Sequence, residues 1–168
     1  GTKMFALGGR AFTKRISQSL DLPFSEAEKL KLKYSKGSLT GKEKEEVAKA
    51  IATDCEVWTS GVELTLGEFK NIELLPSKIY LCGGGSSLPD LVTALKNKKW
   101  SKKLPFARRP QVAHIDPKNL TTIIDDTKEL KDPQDVTPMS MATLAIELVG
   151  EEGVVDGILN KVVKSIGV

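Results

Sequence analysis

The stretch Lys78–Leu95, KIYLCGGGSSLPDLVTAL, decides how the rest of the chain is read. Ile79 to Cys82 is an apolar and aromatic run, long enough for a buried strand and too short for a helix. Gly83, Gly84 and Gly85 follow it. Ser87 stands at an N-cap position, Pro89 lies just inside the helix it opens, and Leu88, Leu91, Val92 and Leu95 recur at helical spacing. The predicted unit is strand, glycine loop, helix. A loop without Cβ atoms lets a ligand approach the backbone, and the helix start offers unpaired N–H groups to an anion. The same pattern also serves a tight strand-to-helix turn that binds nothing. No Gly-Lys-Ser/Thr follows the glycines and the spacing is not GxGxxG, which excludes two nucleotide fingerprints.

Upstream, Pro76 separates this unit from a long predicted helix, Lys42 to about Phe69. Its apolar positions Val47, Ile51, Cys55, Trp58, Val62, Leu66 and Phe69 form one stripe over roughly 40 Å, expected to be buried against the sheet or neighbouring helices. Before it, Ser25-Glu26-Ala27-Glu28 reads as a capping box that opens a helix to about Ser35, with Gly37 as its stop. A shorter helix, Ala11 to Leu20, carries Phe12, Ile16 and Leu20 on one face and ends before Pro23. Thr2 to Leu7 reads as a strand ending at Gly8-Gly9, so the chain opens inside a strand and is expected to be part of a longer one.

Downstream, Lys96 to Arg109 holds seven basic residues with Trp100 and Phe106. Such interleaving suits nucleic acid, an anionic surface or a solvated connection. With a net charge of only +3, the connection is the preferred reading and no nucleic-acid partner is expected. Gln111 to Ile115 reads as a strand, Asp116-Pro117 as a turn and Leu120 to Ile124 as another strand. Asp125 and Asp126 have no further ligand at a metal spacing and read as loop acids, and His114 reads as structural. Thr137-Pro138 starts a helix, Met139 to Val149. A last helix, Val154 to Ile166, lacks Trp and Phe and carries acids on its polar face, which favours packing on a core or partner over a membrane surface.

The 168 residues, 40% hydrophobic and 28% charged, suffice for one compact domain with room for two lobes. Cys55 and Cys82 make neither a disulfide framework nor a metal quartet, which points to a reducing compartment. No apolar run reaches membrane-span length, and no signal peptide, hydrolase elbow or zinc motif is visible.

The order of parts carries a resemblance. GGRAFT, then PFSEAEKLKLKYS, the long helix, IYLCGGGSSLPDL and VTPMSMATLAIEL resemble the second half of actin-like ATPases, above all the cell-division protein FtsA and its pilus-assembly relatives. The likeness covers about Lys3 to Leu148. It implies an α/β, RNase H-like lobe formed by residues 1–21 and 70–168, with a small helical subdomain over 22–69. It implies ATP as ligand, with Gly84, Gly85 and Ser87 beside the adenine and α-phosphate and Gly83 turning out of the strand. Glu28 and Lys31 match positions that reach the ribose hydroxyls, and Ser35 matches one near the adenine edge. Glu28 alternatively completes the capping box with Ser25.

The phosphate-gripping hairpins of that family's first lobe are not in this sequence, so Mg²⁺ would be held mainly there. The parent chain would be a weak ATPase, and this segment alone is expected to be inactive. The implied role is a cell-division or cell-envelope scaffold, in the cytoplasm or peripheral at the inner face of the membrane, which it would meet only indirectly. Its expected partners are the first lobe of its own parent chain, copies of itself in a polymer, or a cell-division protein. Rival readings are a small-molecule kinase or chaperone-type ATPase lobe on the same fold, or a scaffold that no longer binds nucleotide. Three departures stand out: Asp90 replaces a glycine, Thr137-Pro138 stands where Asn-Pro or Asp-Pro is common, and Arg10 and Lys14 are basic.

Overall fold

The computed structural model describes residues 1–70, 72–97, 99–121 and 123–148. The fold is mixed α/β, and the chain forms two compact units, Gly1–His114 and Ile115–Val168.

The first unit is built on helices. α1 (Gly9–Leu20) buries Phe12, Thr13 and Ile16, the face its apolar spacing predicts. α2 (Phe24–Ser35) buries Ala27, Lys31 and Tyr34. At its end Gly37 N–H donates to Tyr34 O (3.0 Å) and Ser38 N–H to Lys33 O (2.9 Å), the paired bonds of a Schellman stop. α3 (Gly41–Gly67) runs 27 residues without a break. β1 (Lys78–Leu81) leads into a 3₁₀ turn over Gly84–Ser87 and then α4 (Pro89–Lys96). β2 (Gln111–His114) lies parallel to β1, pairing Lys78 with Gln111 and Leu81 with His114. Right-handed crossover through a helix is the usual way to join parallel neighbours, and α4 lies between these two strands in sequence.

One core ties these helices together: Phe12 and Ile16 of α1, Tyr34 of α2, Val47, Ile51 and Cys55 of α3, and Leu88 and Leu91 at the start of α4. Residues 22–69, expected as a small helical lobe, therefore share their interior with α1 and α4.

Four local expectations need correction. Residues 2–7 form no strand and bend at Ala6, where Leu7 N–H donates to Phe5 O (3.0 Å); Phe5 lies on α3, where a Cβ at Gly61 would meet its ring at 2.9 Å, and Lys3 pairs with Glu68 at 2.9 Å. The capping box does not form: α2 begins at Phe24 with Pro23 as its N-cap, so Ser25 lies inside the first turn. Ser87 does not cap α4 either; Leu88 holds that position, and Ser87 ends the 3₁₀ turn. Among the described residues no strand spans 120–124.

In the second unit a 3₁₀ turn, Pro117–Asn119, is capped by Asp116, whose side chain accepts from Lys118 N–H at 2.9 Å. Asp125 accepts from Thr127 N–H (3.0 Å), Thr127 Oγ1 (2.6 Å) and Leu130 N–H (3.0 Å). The Thr127 hydroxyl first, then the Leu130 amide, hold its carboxyl below the usual carboxylate range. It is a loop-building acid. Residues 136–148 are helical, burying Val136 and Met139 and exposing Met141, Leu144, Ile146 and Leu148. The predicted helix Val154–Ile166 lies outside the described residues. Among the described residues no helix is long and apolar enough to cross a membrane.

Candidate functional site

Two glycine turns meet in the first unit. The first, Gly8-Gly9, opens α1; the second, Gly83–Gly85, leaves β1. Gly83 has φ +86°, a conformation that strains any residue with a Cβ, and this sends the backbone into the 3₁₀ turn. A Cβ on Gly85 would lie 3.4 Å from Gly9 N and 3.7 Å from Gly9 Cα, ordinary van der Waals contact, so the two turns meet backbone to backbone. The turn is braced internally by Ser86 N–H and Ser86 Oγ, both donating to Gly83 O at 3.0 and 2.7 Å. From β2, His114 Nε2 lies 2.8 Å from Ser86 O and donates to it. The sequence reading of His114 as structural now has a partner and a place.

A cavity of about 230 Å³ lies where the turns meet, lined by Gly8, Gly9, Phe12, Trp58, Leu81, Cys82, Gly83, Gly85, Ser86 and Leu91. That is below the roughly 300–1,000 Å³ of a pocket that encloses a whole small-molecule ligand. It can take a ring or a phosphate end.

α2 supplies the charged groups beside the first turn. Lys31 is only 8% exposed, and its ammonium donates to Gly9 O (3.1 Å), Thr13 Oγ1 (2.8 Å) and Glu28 Oε2 (2.8 Å). A lysine has three N–H donors, and here all three have partners. Thr13 hydrogen-bonds Glu28 Oε2 as well, so both contacts fall on one carboxylate oxygen and Oε1 stays available to a further donor. Desolvation pushes the Glu28 carboxyl up, but the bonds from Lys31 and Thr13 outweigh it and hold it below the usual carboxylate range. With Ser25 inside the helix, Glu28 is free of the capping role and serves this ion pair instead.

One turn further along α2, Tyr34 is 5% exposed and donates its hydroxyl to Asp90 Oδ2 at 2.7 Å. Burial first, then the Asp90 carboxylate, push the phenol well above its ordinary range. Cys55 lies in the same core; burial, then Asp90 and Asp54, push its thiol up to about 12. Asp90, an acid in the first turn of α4, thus has a hydrogen-bond partner in Tyr34.

Of the residues singled out from sequence, Gly83, Gly84, Gly85 and Ser87 share one turn, and Glu28 and Lys31 stand beside Gly9, which touches Gly85. Ser35 spends its hydroxyl on Leu32 O of its own helix at 3.0 Å. Sequence reasoning assigned no role to Thr13 or Tyr34, although both lie in the stretches GGRAFT and PFSEAEKLKLKYS that carry the resemblance. Thr13 lies four residues after Gly9 and Tyr34 three after Lys31, spacings that place each pair on one helix face and could have raised both.

Other cavities are less suited to chemistry. A groove of about 480 Å³ between α1 and α3 contains Arg15, whose guanidinium is committed to both Asp54 oxygens at 2.8–3.1 Å. In the second unit a cavity of about 640 Å³ is lined mainly by aliphatic side chains and lysines, with Asp125 already engaged. In the basic stretch, Trp100 is buried, donates its indole N–H to Leu95 O (2.8 Å) and meets Phe106 edge-on at 5.9 Å. It anchors the loop from within rather than offering a ring to a base. Among the described residues no group of His, Cys, Asp and Glu is placed to hold a metal ion.

Compared with protein-family models, with curated proteins and with solved structures, the chain finds no match.

Proposed function

We propose that this chain is the adenosine-side half of an FtsA-like actin-homologue ATP-binding protein, an RNase H-like lobe acting in a cell-division or cell-envelope scaffold. The observation that carries the reading is the backbone contact of Gly85 with Gly9, beside the Glu28–Lys31 pair. A turn whose N–H groups carry no Cβ atoms over them is what backbone binding of a phosphate or purine needs. The N–H groups that open the 3₁₀ turn would face the α-phosphate, and Glu28 Oε1 would accept from a ribose hydroxyl. Lys31 acts indirectly in this reading: with its donors committed, it fixes Glu28 and Gly9 rather than gripping the sugar. The cavity's small volume suits one end of a nucleotide, with the β- and γ-phosphates and Mg²⁺ held by groups from a first lobe.

Titration of the purified chain with a fluorescent adenine nucleotide tests this. Saturable binding with Kd near roughly 1 mM is expected, equivalent to about 4 kcal/mol. Gly85→Val should abolish it while the helical circular dichroism persists, because the new side chain meets Gly9 backbone rather than a mobile group. Absence of saturable binding by the parent sequence would favour the second reading, a scaffold lobe without nucleotide. The specific support for that reading is the complete use of Lys31 by its own neighbours.

A further inference from the structure

Two residues on one face of α2 hold the two glycine turns. Lys31 donates to Gly9 O in the first turn (3.1 Å); Tyr34, three residues later, donates to Asp90 at the start of α4 (2.7 Å). Asp90 is the second residue of α4, and Leu88 alone separates that helix from the turn Gly84–Ser87. Leu88 is itself 1% exposed and its N–H donates to Gly85 O at 3.2 Å. A shift of the α4 start is therefore passed to Gly85, whose backbone rests on Gly9. Glycine at position 90 would leave the Tyr34 hydroxyl in the core without its acceptor, and burying an unpaired hydroxyl is unfavourable.

We propose that Tyr34 and Asp90 form a positioning latch: by fixing the start of α4 to α2, the pair sets the gap between Gly9 and Gly85, and with it the affinity of the site for an adenine nucleotide. The second clause rests on the function proposed above. Neither residue lines the cavity, so their effect is through placement and not through contact with ligand. The bond from His114 to Ser86 O holds the turn from the β2 side and is independent of α2.

Amide hydrogen exchange over 83–88, measured without nucleotide, and titration with ATP labelled on its γ-phosphate test the latch on the same proteins. Tyr34→Phe keeps the ring and removes only the hydroxyl. It should speed exchange over 83–88 and weaken nucleotide binding, each about tenfold, while α3 amides around Ile51 stay protected. Asp90→Gly should reproduce both effects. Asp90→Asn, which retains a carbonyl oxygen to accept from Tyr34, should restore both toward the parent values. Unchanged exchange over 83–88 in Tyr34→Phe and Asp90→Gly would overturn the latch. So would loss of α3 protection in step with the turn, because the bond would then be a general core contact. If the parent chain binds no nucleotide while Tyr34→Phe still loosens the turn, the latch stands and the nucleotide reading falls.

Discussion

The two halves of α3 carry the same apolar stripe and have different fates. In the first half Val47 and Ile51 are fully buried and Cys55 nearly so, enclosed by α1, α2 and the start of α4. In the second half Trp58, Val62 and Leu66 are half-buried. That half is covered by Phe5, whose ring lies on Gly61 and is tilted 57° to Trp58 at 6.4 Å, and by the glycine-turn cavity that Trp58 lines. Periodicity specifies which face of a helix is apolar. It does not specify what covers that face, and here the cover changes from three helices to a loop and a cavity wall.

The contrast can be broken by truncation. Ile51→Ala should cost about 4 kcal/mol, near the top of the range for large-to-small core changes, because rigid helices on three sides prevent collapse around the void. Trp58→Ala should cost only about 2 kcal/mol, since the ring is partly open to solvent and borders an existing cavity. Chemical denaturation of both variants checks the order; equal losses would show that the second half is as enclosed as the first.

The cysteines sharpen the same comparison without mutation. Cys82 is exposed beside the second glycine turn, whereas Cys55 lies in the closed half of α3 with its thiol pushed up to about 12. The thiolate is the reactive form, so one thiol should label rapidly at neutral pH and the second only on unfolding. Because the folded value is raised above the ordinary 9.0, the neutral Cys55 contributes stability below about pH 9 that is lost as pH climbs toward 12. Cys55→Ala should flatten that alkaline slope; a variant with the parent slope would contradict the burial.

The smallest expected effect concerns Glu28, whose folded carboxyl is held below the ordinary 4.5 by Lys31 and Thr13 despite desolvation. Its contribution is present above that ordinary value and lost as pH falls through the lower, folded one. Glu28→Gln should lower the neutral-pH melting temperature modestly, the carboxylate being partly exposed, and remove this part of the acid-side decline, so that variant and parent converge in acid. An unaltered acid profile would mean that Glu28 does not engage Lys31 in solution.

Much of this was legible in the chain itself. Short apolar runs, glycine punctuation and apolar spacing at three and four residues located α1, α3, α4, β1 and β2, because those signals depend on backbone sterics and on one buried face per element, and Gly37 marked the end of α2. The cluster at Gly83–Gly85 marked the turn, since a φ of +86° is a local property of the residue that adopts it. Tertiary structure decided the rest. Ser25 and Ser87 carry good capping side chains, yet Pro23 and Leu88 hold those positions, for the chain enters each helix where core packing places it. Thr2–Leu7 reads as a strand, but a strand needs a neighbour, and Phe5 instead finds α3. Asp90 reads as a charge misplaced near a phosphate loop until Tyr34, 56 residues away, supplies its hydroxyl. Local signals fix conformation one element at a time; which donor meets which acceptor depends on contacts far apart in sequence, and those exist only once the core has closed.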